Sequence, residues 1–232
     1  DALINNDVVP TLNYLANKID TPNGLEYIAG AVRNILIRPT GRDAFIVNGN
    51  VITTLTTLAN QVNNPDGRES IVCAISHIAQ NPGAVDDLIA NIVTNPNENI
   101  LESLITMANQ ENTEIGLEYI TGAIGQISAT DAGIRALIAN GNVITTLIFM
   151  AKKTNTSIQR QYIAGAIRNI SIIPAGKDDL LANRDLKTTL ITMANQENTR
   201  CGLEYIKFIK NKLKIWLGYN FSKKYNTWTR IY

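Results

Sequence analysis

The chain contains 232 residues, with an apolar content of 45% and a formal net charge of +1. This composition supports a buried core and excludes intrinsically disordered and strongly charged classes of protein. No apolar run approaches the roughly 18 residues of a membrane-spanning helix, and no secretory signal pattern is present. Cys73 and Cys201 suggest no disulfide framework, so we expect an intracellular protein of the cytoplasm, with the nucleus as an additional location left open.

A motif that begins Gly-Leu-Glu-Tyr-Ile returns along the sequence. Its copies start at Gly24, Gly67, Gly116, Gln159 and Gly202, at intervals of 43, 49, 43 and 43 residues. Self-similarity at such a period is typical of a helical solenoid, in which stacked repeats share one continuous core. The longer interval contains an insertion at 92–97, which we expect to lengthen the link between two helices.

The first 40 residues predict a partial leading repeat. Pro10 opens its second helix, and its third helix covers 24–37. Proline is well suited to the first position of a helix because it has no backbone N–H to leave unbonded there.

The first complete repeat predicts three helices. A short first helix over 41–47 ends at Asn48-Gly49, a pair suited to the left-handed residue that terminates a helix. A second, amphipathic helix covers 51–62, and a long third helix covers 69–79. The complete repeats span about 41–82, 83–132, 133–175 and 176–217. The last of them has Arg184-Asp185 in place of the Asn-Gly pair.

The third helices carry the most specific sequence. Residues 28–35 read Ile-Ala-Gly-Ala-Val-Arg-Asn-Ile, and residues 163–170 repeat them with one change. A short helix ending at Gly, a second apolar helix and a third helix with this sequence together resemble the armadillo repeat. The resemblance covers residues 1–206. It implies an all-α fold, a right-handed α-solenoid of about four to five armadillo repeats with three helices each.

Three glycines interrupt the third helices: Gly30, Gly122 and Gly165. Each costs about 1 kcal/mol relative to alanine in a helix interior. We expect them to permit close approach between the backbones of adjacent third helices.

The resemblance implies that the third helices line a concave groove that binds an extended peptide. The family's asparagine near the end of this helix binds the peptide backbone, and amide side chains suit this role because they both donate and accept hydrogen bonds. The matching positions here are Asn34, His77, Gln126, Asn169 and Lys212. Arg33 and Arg168 precede two of them, and we include both in the predicted groove. A polar, solvated helix face is the alternative interpretation.

The chain departs from armadillo proteins of the importin-alpha type, which carry a tryptophan one helical turn before that asparagine. The residues at this position are Gly30, Cys73, Gly122, Gly165 and Phe208. Without stacked tryptophans, nothing holds the aliphatic stems of a basic cargo peptide. We therefore expect a groove of the beta-catenin or vacuolar-scaffold type rather than recognition of nuclear-import cargo.

An acidic row recurs at another register of the third helices, at Glu26, Glu69, Glu118 and Glu204. It either makes the edge of the groove acidic and favours basic partners, or is a solvated face near the helix N-termini, where carboxylates suit the helix dipole.

The only histidine, His77, follows Cys73 by one helical turn. A zinc site needs about four ligands, and nucleophilic catalysis needs a third, orienting group. The sequence shows neither, and it contains no phosphate-binding or nucleophile motif. We expect no metal, no cofactor and no enzymatic activity.

The last 26 residues differ in composition from the rest. Residues 207–232 contain seven Lys or Arg, no acidic residue and seven of the 14 aromatic residues, whereas residues 1–206 carry a net charge of −6. The apolar positions nearby share one helical stripe beside lysines: Leu203, Ile206, Ile209, Leu213 and Trp216 or Leu217. This segment is either the last third helix, closing the array, or a basic aromatic cap and tail that binds a membrane surface or nucleic acid.

These observations predict a non-enzymatic scaffold that binds an extended segment of a partner protein along the groove. Two alternatives stay open. One is a membrane-surface or nucleic-acid adaptor that acts through the basic tail. The other is one section of a larger armadillo assembly, including self-association through the near-identical repeats.

Overall fold

The structure is a computed structural model that describes residues 8–47, 51–94, 99–110, 113–215 and 217–218. These residues form fourteen α-helices and no β-strand. The helices are α1 (Val8–Ala16), α2 (Pro22–Leu36), α3 (Pro39–Val47), α4 (Val51–Gln61), α5 (Pro65–Ala79), α6 (Pro82–Thr94), α7 (Ile100–Gln110), α8 (Glu114–Ile127), α9 (Asp131–Asn140), α10 (Val143–Lys153), α11 (Ser157–Ile170), α12 (Pro174–Ala182), α13 (Leu186–Gln196) and α14 (Arg200–Leu213).

The helices follow one another in sets of three. Helices α1 and α2 form the leading partial repeat, and four complete repeats follow as α3–α5, α6–α8, α9–α11 and α12–α14. We refer to α2, α5, α8, α11 and α14 as the third helices. Each third helix packs more extensively against the next one than any other helices of the described chain pack against each other. The predicted all-α solenoid is confirmed.

A polar side chain sets the start of four of the third helices. It accepts a hydrogen bond from the backbone amide three residues later, at Asn64, Thr113, Thr156 and Thr199. Such an N-cap is worth about 1 kcal/mol. Pro65 occupies the first turn of α5, so this helix begins four residues before Glu69, where the sequence predicted its start.

The first helices end in different ways. Gly141 closes α9 with a φ of +76°, the left-handed conformation predicted for the Asn140-Gly141 pair. The corresponding pair Asn48-Gly49 lies outside the described residues. In the last repeat, α12 ends at Ala182 with the next residue, Asn183, in an extended conformation. The link to α13 therefore uses no left-handed residue.

The insertion in the second complete repeat lengthens a helix. Helix α6 has 13 residues, whereas the first helices α3, α9 and α12 have 9, 10 and 9. The insertion lengthens both this helix and the link after it, since five residues separate α6 from α7 and two or three separate the equivalent helices of the other complete repeats. Ile92 is buried, and this extra apolar contact explains why the helix continues to Thr94 before the undescribed residues 95–98.

A single hydrophobic core runs through the array from Val9 to Leu217. Burial of each leucine or isoleucine side chain contributes about 1.5–3 kcal/mol. The seven consecutive residues 70–76 of α5 are all buried, because α5 is packed between α2 and α8. The third helices thus form a continuous layer in which only one side stays accessible.

The change of composition at Lys207 does not coincide with a break in the structure. Helix α14 continues through this residue, and the apolar stripe at Leu203, Ile206, Ile209, Leu213 and Leu217 is at most 4% exposed. The stripe packs against the array and is not available to a membrane. Trp216 and residues 219–232 lie outside the described part. Among the described residues, no single helix could cross a bilayer, and α9 and α10, which would suffice only together, meet at 92°.

Candidate functional site

The predicted binding residues lie on the accessible side of the third-helix layer, which we call the third-helix face. Asn34 and Lys212 are exposed, whereas His77, Gln126 and Asn169 are half-buried. Each stands ten residues after the start of its motif, so the repeat period places all five at one register of successive helices. We call these five residues the polar ladder.

Two members of the polar ladder share a pocket. Gln126 of α8 and Asn169 of α11 line a cavity of about 190 Å³ together with Tyr162 and Tyr205. Amide groups that can both donate and accept hydrogen bonds therefore stand beside aromatic rings. The pocket therefore offers hydrogen-bonding groups and aromatic surface side by side.

A row of tyrosines accompanies the polar ladder. The fourth residue of each motif copy is Tyr27, Ser70, Tyr119, Tyr162 or Tyr205. In the later repeats each ring packs over the preceding third helix. A Cβ atom added at Gly122 would lie 3.6 Å from the ring of Tyr162, and one added at Gly165 would lie 3.6 Å from the ring of Tyr205. The glycines form the floor of a shallow depression for each ring, which we call a tyrosine seat.

The tyrosine seats correct the sequence-based role of the glycines. Gly122 and Gly165 face the side chain of the next repeat's tyrosine, not the backbone of the next helix. A Cβ at either position would make ordinary van der Waals contact. Gly30 differs, because a Cβ there would meet no described atom within 4 Å apart from the adjoining residues and backbone of its own helix. The prediction of close backbone approach was therefore wrong at these three positions.

The seat at Gly30 differs from the others because of one residue. Where the next repeat would supply a tyrosine, α5 has Ser70, whose side chain is short and 8% exposed. In the part of the chain that the structure describes, no ring lies over Gly30 of α2. The face consequently has an unfilled seat near its N-terminal end.

Arg33 lies between the first two third helices. Its Nε donates a hydrogen bond to Cys73 Sγ at 3.3 Å. The pKa of Arg33 is raised, mainly by the hydrogen bond with Cys73, with burial acting against it. The pKa of Tyr119 is also raised, first by its hydrogen bond with Cys73 and then by burial. At neutral pH this cluster therefore presents a cationic guanidinium and a neutral phenol.

The cluster also bears on the Cys73–His77 pair singled out in the sequence. The Cys73 thiol forms hydrogen bonds with Arg33 and Tyr119. The centre of the His77 ring lies 6.2 Å from the centre of the Tyr119 ring. Nowhere in the described ranges do three His, Cys, Asp or Glu residues converge as a metal site would require.

Arg168 occupies the same place as Arg33, but its surroundings are aromatic. Its guanidinium carbon lies 5.5 Å from the ring centre of Tyr205 and 4.8 Å from that of Phe208. Cation–π contacts of this kind are worth about 0.5–2 kcal/mol. The same guanidinium donates to Asn169 Oδ1 at 3.1 Å, and Asn169 Nδ2 donates to Ser128 Oγ at 3.3 Å. These bonds fix the orientation of the Asn169 amide.

The acidic row has a structural role in two repeats. Glu26 Oε2 accepts from Asn64 Nδ2 at 2.8 Å, and Glu69 Oε2 accepts from Thr113 Oγ1 at 3.3 Å. Asn64 and Thr113 are the N-caps of the next third helices. These carboxylates thus connect one repeat to the start of the next, which neither sequence-based interpretation anticipated.

His77 combines partial burial with cationic neighbours. Burial lowers its pKa, and the positive charges of Arg42 and Arg33 lower it further, although a hydrogen bond with Gln80 opposes them. Arg42 of α3 also donates to the backbone carbonyl of His77 at 3.3 Å. The imidazole therefore stays neutral at neutral pH, as a hydrogen-bonding member of the ladder.

This lowered pKa predicts a pH-dependent stability. In the unfolded chain a histidine has a pKa of about 6.5, so it takes up a proton that folded His77 resists. The contribution of His77 is fully present above that pH and is lost as the pH falls from about 6.5 toward the folded pKa. We expect the free energy of unfolding, measured by urea denaturation between about pH 7.5 and 5.5, to fall less steeply in His77→Gln, which copies Gln126. Equal slopes would contradict the prediction.

Sequence comparison assigns no relative: no protein-family model and no curated protein matches the chain. Solved structures do match its fold. A designed armadillo repeat protein, YIII(Dq)4CqI, superposes with a TM-score of 0.69 at 17% identity, over 88% of this chain and 82% of that one. A second designed armadillo repeat protein, in complex with the peptide (KR)4, gives 0.66 at 17% identity over 88% and 81%. The chain has an armadillo repeat fold.

A third match extends further along the array. A structure described as an engineered protein superposes with a TM-score of 0.58 at 17% identity, over 95% of both chains. Identities this low show the fold alone. The three-helix grouping of this chain is therefore that of armadillo repeats, as the Ala-Gly-Ala-x-Arg-Asn sequence indicated.

The row of tyrosines on the third-helix face was not predicted from the sequence. Its signal was present, because a tyrosine stands three residues before Gly30, Gly122 and Gly165. The motif shows tyrosine and glycine on the same helix, but the ring packs on the glycine of the preceding helix. That pairing links residues about 40 apart, such as Tyr205 and Gly165, and becomes visible only in the packed array.

Proposed function

We propose that the chain is a non-enzymatic protein-interaction scaffold that binds an extended segment of a partner protein along the third-helix face. The observation that carries this proposal is the pocket in which Gln126 and Asn169 stand beside Tyr162 and Tyr205. It joins hydrogen-bonding amides and aromatic surface at one register of successive helices.

The spacing of the helices supports an extended ligand. Packed helices lie about 8–10 Å apart, and an extended chain advances about 3.3 Å per residue. One rung of the polar ladder therefore meets a peptide every two to three residues. An amide side chain at each rung can bond both the N–H and the C=O of one peptide residue.

The comparisons add support of a general kind. A designed protein with the same fold forms a complex with the peptide (KR)4. The charges on the present face differ from those a basic peptide requires, since Arg33 and Arg168 lie on it and Glu26 and Glu69 are engaged by the neighbouring repeats. The partner segment of this chain is therefore expected to differ in sequence from (KR)4.

The asparagines of the polar ladder provide the first test. We expect Asn34→Ala combined with Asn169→Ala to weaken binding of a peptide selected on the wild-type chain from a random displayed library. With one hydrogen bond lost at each asparagine, at about 0.5–1.5 kcal/mol per bond, the affinity should fall by about 5- to 150-fold. Fluorescence anisotropy of the labelled peptide gives the affinity, and circular dichroism checks that helicity is retained.

Asn60→Ala is the matched control, because Asn60 is exposed on α4, a second helix outside the third-helix layer. It should leave the affinity unchanged. Equal binding by the double variant and the wild type would contradict the proposal. A chain shortened after Gly218 tests the basic tail without cutting α14. Binding that disappears only in this shortened chain, and falls steeply with salt, would favour a membrane or nucleic-acid adaptor instead.

A further inference from the structure

The same motif has different surroundings in the two third helices whose sequences are most similar. Residues 28–35 and 163–170 differ at one position, and each presents a glycine followed three residues later by an arginine. In the second copy, Gly165 is the floor under the ring of Tyr205, and Arg168 lies 5.5 Å from the centre of that ring. The motif there works as a receptor for an aromatic side chain.

The first copy has the same glycine and arginine, but the next repeat supplies no tyrosine to pack on them. Gly30 supplies the same floor, yet no described atom outside its own helix lies within 4 Å of a Cβ placed there. Arg33 reaches across to α5 as Arg168 reaches to α14, and Cys73 stands where Phe208 stands in the later repeat. Ser70 takes the place of the tyrosine, so the seat is open toward the third-helix face.

The residues around this opening favour binding of an aromatic side chain. Tyr27 lies one turn before Gly30 on the same helix and is 73% exposed, which provides an aromatic edge. Arg33 carries a positive charge that attracts the face of a ring and repels lysine or arginine. Asn34 is exposed beside it and can bond the backbone of the same ligand residue.

The geometry points to the seat at Gly30 as the binding site for a tyrosine, phenylalanine or tryptophan side chain of the partner segment. The ligand residue takes the position that Tyr205 takes over Gly165, and stacks against Arg33. This inference rests on the proposed function, because it names the side chain that the bound segment places at one end of the face.

The test is a selection of displayed random peptides of about 10–15 residues, a length that spans the five third helices. It is run in parallel on the wild-type chain, on Ser70→Tyr and on the control Ser70→Ala. Tyrosine at position 70 copies the other repeats and fills the seat from within the chain. Alanine leaves it open.

We expect peptides selected on the wild type and on Ser70→Ala to share an aromatic residue at one position. Changing that residue to alanine should lower the affinity for both proteins by about tenfold or more, as for a buried aromatic anchor. Peptides selected on Ser70→Tyr should show no such preference, and the wild-type peptides should bind it about tenfold more weakly.

A second variant that fills the seat, Gly30→Leu, provides the same test if Ser70→Tyr does not fold. Its side chain enters the same open space, and leucine favours the helix. If peptides bind without an aromatic preference, or if neither variant changes that preference, the inference is overturned while the scaffold function stands. If no peptide binds to the wild type, the proposed function itself fails and the inference fails with it.

Discussion

Replacing Glu197 by alanine is expected to lower the free energy of unfolding by about 3–5 kcal/mol. Arg160 Nε lies 3.6 Å from Glu197 Oε2, and the two side chains are 6% and 0% exposed. Loss of the carboxylate leaves the guanidinium buried without its counter-ion. Removing one partner of a buried pair costs far more than removing one partner of a surface pair.

Glu197 also holds the start of the last third helix. Its Oε1 accepts hydrogen bonds from the backbone amides of Asn198 and Thr199 and from the Thr199 hydroxyl. Thr199 is the N-cap of α14. The carboxylate therefore connects α11 to α14, so its loss should loosen the last repeat in particular.

The repeats themselves supply a matched control. At the positions equivalent to Arg160 and Glu197, the first two repeats have Leu25 and Val62, which are both buried. We expect Arg160→Leu combined with Glu197→Val to cost less than the sum of the two single changes, because no unpaired charge remains.

Equilibrium urea denaturation, followed by circular dichroism, measures these differences. Amide hydrogen exchange then shows whether α14 opens first in Glu197→Ala, as expected when stability is a sum of neighbouring repeats. A single variant that loses less than about 1 kcal/mol, or a double variant that loses the full sum, would contradict this account.

Replacing Phe45 by alanine is expected to cost about 3–5 kcal/mol, the range for a buried phenylalanine. Phe45 of α3 is fully buried, and its truncation removes apolar contact and leaves a cavity. The equivalent residues of the later repeats are Leu88, Leu137 and Leu180, all fully buried. The first complete repeat therefore has phenylalanine at a core position where the other complete repeats have leucine.

Phe45→Leu is the natural control for that cavity. It should cost less than about 1.5 kcal/mol, because a branched apolar side chain already fits this position elsewhere in the array. Urea denaturation of both variants gives the comparison. If alanine and leucine proved equally costly, the effect would not come from the cavity. Peptide affinity of folded Phe45→Ala should match the wild type, since Phe45 lies outside the third-helix face.

Much of the local structure could be predicted because each cause is local. The Asn140-Gly141 pair terminates α9 because the left-handed conformation of one residue ends a helix within one turn. The polar ladder, with Asn34 and Asn169, was predicted from the resemblance to armadillo repeats. Its peptide-binding role remains a prediction.

Other features were not predicted because their causes lie in neighbouring repeats. The insertion extended α6 to Thr94 because Ile92 found a buried position, which a count of inserted residues does not reveal. Glu26 was read as part of a solvated or acidic edge, whereas it binds the N-cap Asn64 of the next third helix.

The sequence by itself determined the repeat period and the three-helix unit, because these follow from periodicities within about 43 residues. Only the tertiary structure decided that Tyr205 sits over Gly165, that Arg160 meets Glu197, and that the seat at Gly30 is open. These contacts join residues about 40 apart. Their geometry depends on how side chains pack between adjacent helices, which no single repeat encodes alone.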